Sequence, residues 1–251
     1  MDAEPAAAVV RGPEQVPVNS LGPGVTVAEL LNDQHGCRGL HQRRLRFAGG
    51  ATLSGAILSG VAGGRGECWY VISGSGDLDT EVSGTIELEP GTAVWVRGPL
   101  HYQCQARPGP DLEVVVVTVQ AGSEDADGDP ALCVARLDEC LPERTGDREF
   151  RVLLSSGLVF TQFAGLIPPG RAPAHQHTYD EVVHVLAGRG VVHLSGAGAG
   201  AGAGAEIGPG TSIYLPPGQL HCLENTGPGP LEVLGVFYPA GSPAAKQASH
   251  A

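Results

Sequence analysis

Aromatic side chains and positive charge are both scarce in this sequence. Five phenylalanines, five tyrosines and two tryptophans serve 251 residues, so a core has to be filled with Val, Leu, Ile and Ala. Set against 38 glycines and 20 prolines, that shortage favours turn-rich β structure over a helix bundle. Fifteen Lys and Arg face 27 Asp and Glu, a net charge of −12 at pH 7, which repels phosphate backbones and anionic lipid; no nucleic-acid or membrane partner is expected. The compact basic group Arg43, Arg44 and Arg46 reads as the solvated edge of a strand rather than a binding patch. No run of about 18 apolar residues occurs, and MDAEPAAAVVRGPEQ has no basic segment followed by an apolar one, so a soluble cytoplasmic protein is expected. The six cysteines (37, 68, 104, 133, 140, 222) include no Cys-X-X-Cys pair, which favours reduced, buried thiols over a disulfide framework.

What the chain does contain is a repeat. LEVVVVTVQAGS (112–123) matches LEVLGVFYPAGS (231–242) at a shift of 119 residues, as Gly91 in PGTAVWV matches Gly210 in PGTSIYL. ECWYVISGSG (67–76) matches EVVHVLAGRG (181–190) at a shift of 114, and the difference falls where the second half carries SGAGAGAGAGAE. That tract, 196–205, has no apolar bulk for a core and reads as an extended hairpin loop. Short apolar runs broken by Gly and Pro are the pattern of a sandwich or barrel. The expected organisation is a flexible arm over 1–24, a barrel over 25–122, an acidic linker over 123–147 with a helical turn at Leu137–Cys140, a second barrel over 148–242, and a tail over 243–251. Thr26 followed by Glu29 predicts a capping box and a short N-terminal helix ending near Asn32.

The chemistry-bearing stretch is GRAPAHQHTYDEVVHVLAG, residues 170–188. His175 and His177 share a face if the chain is extended there and are about 6.6 Å apart, so two imidazoles can grip one ion. Glu181 joins them only if the chain turns at Thr178–Asp180, where Asp is a good turn former. His184 has the opposite parity and is expected to point away. Downstream, in GTSIYLPPGQLHCLEN (210–225), two prolines and a glycine predict a tight turn that aims His221 back inside. Three histidines and a carboxylate suit Fe(II), Mn(II), Ni(II), Co(II), Zn(II) or Cu(II) and disfavour Mg and Ca.

These two segments resemble the motifs of the cupin superfamily. Gly170, His175, His177, Glu181 and Gly188 fit the first with four residues in the opening gap; Gly210, Pro216, Gly218, His221 and Asn225 fit the second without a gap. Because both repeats are covered, the chain looks like a bicupin. The resemblance implies an all-β fold of two tandem antiparallel jelly-roll barrels (double-stranded β-helices), self-association as a homodimer, and one divalent transition metal held by His175, His177, Glu181 and His221. The first repeat departs from the pattern. Glu67 and Gly74 stand at the places of Glu181 and Gly188, but Val61 and Gly63 replace the two histidines, and Tyr102 or, with a one-residue gap, His101 stands opposite His221. The N-terminal barrel is therefore expected to bind no metal and to serve as a packing partner.

An ion with that ligand set, on the resemblance, implies a metal-dependent enzyme acting on a small polar organic substrate. Fe(II) and an oxygenase or dioxygenase reaction are expected first. Lewis-acid isomerase, cyclase, lyase or decarboxylase chemistry is the alternative, and a non-catalytic binding or sensor barrel the third. Gln162 and Tyr179 are the candidate catalytic side chains, Gln162 as a hydrogen-bond donor to a substrate oxygen and Tyr179 as a proton donor at the rim. Strand alternation puts either Phe160 and Gln162 or their neighbours on the pocket without saying which. Phe163 and Phe237 are candidates for its apolar wall, and Cys222, next to a ligand, is expected to face away as an inert thiol.

Overall fold

A computed structural model describes residues 7–56, 64–98, 101–120, 130–155, 157–195 and 204–244. These residues form four antiparallel sheets, two of seven strands and two of four. In the N-terminal half, Gly64–Ser73, Leu112–Gln120 and Leu40–Phe47 lie side by side in one seven-stranded sheet, and His101–Ala106 belongs to a four-stranded sheet. Asp180–Ala187, Leu231–Tyr238, Thr161–Ile167 and Leu220–Asn225 take the corresponding places in the C-terminal half. The register carries the repeat: Val117 sits between Gln42 and Cys68, and Val236 between Gln162 and Val182. The all-β, two-barrel architecture expected from the sequence is the architecture found.

Long apolar runs are tolerated in these strands because their sheets are covered on both sides. Val114 and Val116 point into the N-terminal barrel, while Val115, Val117 and Val119 point into a layer between the barrels. Leu231 and Val233 fill the C-terminal barrel, and Leu234 and Val236 meet that same layer from the other side. Trp95 and Phe160 are in contact across it, with ring centroids 4.8 Å apart. Each fully buried side chain of this kind contributes about 1.5–3 kcal/mol, so the layer between the barrels is as much a core as their interiors.

Three expectations about the chain's organisation are corrected. Thr26–Asn32 is not a helix: Val25–Leu31 is a strand, paired with Val18–Gly22 on one side and Leu40–Phe47 on the other. Val25 and Val27 enter the N-terminal barrel and Leu31 the interbarrel layer, and two-sided burial of β-branched residues outweighs the capping signal. The only helical elements among the described residues are 3-10 turns at Pro13–Gln15 and Asp33–His35, the second opened by the Asn32 side chain accepting from the Gln34 amide. Where a flexible arm was expected, Val9–Arg11 pairs with Ser212–Leu215 of the C-terminal barrel. Where a linker was expected, Leu132–Arg136 pairs with Thr92–Arg97 of the N-terminal barrel. Each segment covers a sheet edge that would otherwise leave backbone groups unpaired. The turn at Leu137–Cys140 is present, closed by the Cys140 amide donating to the Arg136 carbonyl at 3.2 Å. The glycine and alanine tract lies outside the described residues up to 203, as do positions 61 and 63; Gly204–Ile207 is a strand. No helix among the described residues is long and apolar enough to cross a membrane.

His184 points into the interbarrel layer, as its parity predicts. It is 1 % exposed and its Nδ1 lies 3.0 Å from the Ser212 hydroxyl. Burial, helped by the Arg44 charge from the other barrel, holds its pKa down to about 3. The folded value lies below the unfolded one of about 6.5, so the unfolded chain takes up the proton first. Stability from this site is therefore complete above about pH 6.5 and is lost as the pH falls toward the folded value. The urea midpoint is expected to drop between pH 7 and pH 5, and His184→Gln to flatten that drop. An unchanged slope in the variant would clear His184 of any part in the acid sensitivity.

Candidate metal centre

Local backbone geometry brings the four candidate ligands together. His175 and His221 face each other across an isolated antiparallel bridge, each amide donating to the other's carbonyl at 2.9 and 2.8 Å. Between His221 and the strand before it, Pro216-Pro217-Gly218 makes the expected turn. Gly218 sits in the left-handed region at φ +79°, which a Cβ disfavours, and its amide donates to the His177 carbonyl at 2.7 Å. The histidine pair is not in a regular strand, since Pro173 removes an amide just ahead of it. The chain turns at Thr178–Asp180 as predicted, and Glu181 enters at the start of Asp180–Ala187 opposite Leu215 and Phe237.

The ligand atoms of His175, His177 and His221 lie within 4.8 Å of one another. Glu181 Oε2 is 2.7 Å from His177 Nε2 and 3.9 Å from His221 Nε2. The other ring nitrogens are already committed: the Nδ1 atoms of His175, His177 and His221 lie 3.1, 3.2 and 2.9 Å from the carbonyls of Pro173, Tyr179 and Gln219. A carbonyl only accepts, so each Nδ1 carries a proton; the Nε2 atoms of His175 and His221 are left to serve as ligands, and that of His177 serves once an ion displaces the proton it shares with Glu181.

The protonation balance suits a cation. Burial lowers His175 below its ordinary value and takes His221 down to about 4, so both are neutral ligands at neutral pH. Burial alone would lower His177 and raise Glu181. The hydrogen bond and charge between them reverse both, leaving the imidazole above its ordinary value and the carboxylate below its own. The proton shared at 2.7 Å holds positive charge where a divalent ion would hold more, and three nitrogens with one carboxylate suit a transition ion rather than Mg or Ca. The donor set therefore fits one metal ion, held at about 2.0–2.2 Å after small side-chain rotations.

Around this cluster lies a pocket that opens to solvent and is lined mostly by apolar side chains, the usual make-up of a small-molecule site. Phe150, Phe163 and Phe237 wall it, the last two with ring centroids 4.8 Å apart. Gly235 makes room for this wall, because a Cβ there would fall 2.3 Å from the Phe163 ring. Tyr179 lines the pocket and stacks on His177, centroids 4.5 Å apart and planes within 8°.

Gln162 is corrected. It is fully buried but lies on the face of Thr161–Ile167 opposite Phe163, toward the layer between the barrels, and does not line the pocket. Phe160 packs on Trp95 in that layer. Cys222 faces away as expected, buried, with the Arg171 Nε donating to its sulfur at 3.3 Å. In the N-terminal barrel, Glu67 is buried and engaged by the Arg43 guanidinium at 2.6 Å and the Trp69 indole N–H at 3.2 Å. Arg43 is thus no solvated strand edge. Tyr102 packs edge-on against Trp69, and His101 is exposed.

Sequence reasoning missed Arg148, Thr145 and Phe150, which line the pocket from a hairpin of Glu143–Thr145 and Arg148–Leu154. The only local sign of them is the turn pair Gly146-Asp147 between two strand-like segments.

Two stacked barrels, one of which gathers three imidazoles and a carboxylate in an apolar pocket, define the class of protein. The profile of the family described as Cupin domain matches residues 164–237; the C-terminal barrel is a cupin domain, and the chain has the two-barrel cupin fold. A structure reported for the Mn(II) centres of Bacillus subtilis oxalate decarboxylase superposes with a TM-score of 0.75 at 15% identity, over 96% of this chain and 80% of that one. A deletion variant of the same enzyme gives 0.74 at 16% identity, with the same coverage. An uncharacterized protein of Methanocaldococcus jannaschii, MJ1618, is 34% identical over 76 residues, which are 30% of this chain. The match spans 56% of that relative's length.

Proposed function

We propose that the C-terminal barrel, residues 148–242, is the active site of a metal-dependent enzyme acting on a small polar organic molecule. One observation carries this reading: three imidazole Nε2 atoms, their Nδ1 atoms pinned by carbonyls, converge with the Glu181 carboxylate at the floor of an open pocket. His175, His177, Glu181 and His221 would hold the ion, which when bound supplies Lewis acidity toward a substrate oxygen or electrons for oxygen chemistry. The remaining work falls to the chain itself. Phe163 and Phe237 keep water from the substrate's apolar part, and the Tyr179 ring fixes the plane of His177 by stacking on it. Proton donation is assigned to the Tyr179 hydroxyl, which is buried rather than exposed at the rim.

The donor set serves Fe(II) and Mn(II) alike. An Fe(II) oxygenase is one use of it; a non-redox lyase or decarboxylase is the second reading, favoured by the fold likeness to a Mn(II)-containing oxalate decarboxylase. Elemental analysis of protein purified without oxygen or chelator is expected to give one transition metal per chain. Iron with substrate-dependent oxygen uptake selects the oxygenase, manganese without uptake the second reading, and no bound metal rejects both. Association as a homodimer is proposed as well, and a 25.7 kDa species in light scattering would reject it.

A further inference from the structure

The hairpin that closes one side of the pocket carries three arginines, and two of them are spoken for. Arg144 lies 3.3 Å from the Glu149 carboxylate; Arg151 lies 3.9 Å from its other oxygen and donates to the carbonyls of Leu137 and Cys140. Arg148 has no hydrogen bond or ion pair among the described residues, and its Nε is buried without an acceptor. Among the described residues it is the only Arg or Lys lining the pocket, and Thr145, its cross-strand neighbour, lines the pocket beside it. A buried guanidinium donor left without an acceptor is costly, and in a chain of net charge −12 an acceptor was available for each of its neighbours. Its charge also reaches the ligand cluster, where it is one of the influences lowering His175. Glu149, the other charged group at this end of the pocket, is neutralised by Arg144 and Arg151.

We propose that Arg148, with the Thr145 hydroxyl, binds the carboxylate of the substrate, and that the substrate class is a carboxylate with an apolar body lying along Phe150, Phe163 and Phe237. A guanidinium offers paired donors that match the two oxygens of a carboxylate, and the aromatic wall rewards a body larger than a bare dicarboxylate. The inference rests on the C-terminal pocket being the substrate site, and deepens the function proposed above.

The test is calorimetric titration of the Mn(II)-loaded protein with phenylacetate, its neutral analogue phenylacetamide, and oxalate, for the native chain, Arg148→Gln and Arg148→Lys. The ratio of phenylacetate to phenylacetamide affinity is expected to fall at least about tenfold in Arg148→Gln and to be partly kept in Arg148→Lys. Any preference due to the ion is common to all three proteins and cancels in that comparison. Manganese content and thermal midpoint are expected not to move. An unchanged ratio in Arg148→Gln, or no carboxylate binding to the native chain at millimolar concentration, overturns the role of Arg148; oxalate binding more tightly than phenylacetate overturns the apolar body. Arg148-dependent binding to a chain that takes up no manganese would instead sink the metal-dependent function and leave the carboxylate grip standing.

Discussion

His177→Ala protein is expected to lose its metal and all catalytic activity while keeping its fold. His177 is the best-connected of the four candidate ligands: it bonds Glu181, stacks on Tyr179 and packs 5.6 Å from the Phe237 ring centroid. Removing it deletes one nitrogen donor and also the partner that keeps the Glu181 carboxylate ionised in a buried place. Two of four ligand contributions are thereby damaged at once, and affinity is expected to fall by at least about 100-fold, the upper end of what losing a supporting partner alone costs. The fold survives because the C-terminal barrel is held by Val183, Val185, Ile213, Leu231 and Val233, none of which depends on the ion. Elemental analysis and a thermal melt of the same sample check both halves. Metal retained at one per chain would remove His177 from the ligand set, and unfolding at room temperature would make the ion structural rather than catalytic.

Trp95→Ala is expected to cost about 3–5 kcal/mol, a large share of the roughly 5–15 kcal/mol that holds a typical domain. The indole is fully buried in the layer between the barrels, touches Phe160 of the other barrel, and donates its N–H to the Pro130 carbonyl at 3.0 Å. Its loss opens a cavity between two sheets that are each locked by their own barrel, so the surroundings have little freedom to collapse into the gap. Urea unfolding followed by the fluorescence of Trp69, buried inside the N-terminal barrel, reads the effect. A loss below about 1 kcal/mol would show that the barrels stand independently and that their shared layer contributes little.

The same layer explains why the N-terminal barrel persists without the histidine motif. Its Glu67 keeps the place of a ligand, yet its charge is met by Arg43 and its second oxygen by Trp69. A guanidinium built into the sequence stands in for an ion as the counter-charge. In this structure the outer face of that barrel packs on the other: Cys68, Tyr70, Ala93 and Trp95 meet Leu153, Val182, Leu234 and Val236.

Much of this protein was determined by its sequence alone. The duplicated barrel was legible because strand register repeats with the chain, so Val117 and Val236 inherit equivalent neighbours. The four candidate ligands were legible because each is prepared by local geometry, an i, i+2 pair with a turn at Thr178–Asp180 and a proline and glycine turn before His221, whereas the bridge that brings His221 to His175 is long-range. Tertiary structure alone decided the rest. Thr26 and Glu29 signal a helix locally, and only pairing with Leu40–Phe47 makes that segment a strand. Val9–Arg11 and Leu132–Arg136 cover edges formed by residues far away in the chain. Gln162 and Phe163 differ by one step of alternation, and which of them meets the pocket depended on where the second barrel lay. Arg148 acquires its meaning only because the neighbouring arginines found partners and it did not. Turns and spacings are written by covalent geometry over a few residues, whereas the side of a sheet that becomes buried is set by what the completed fold places against it.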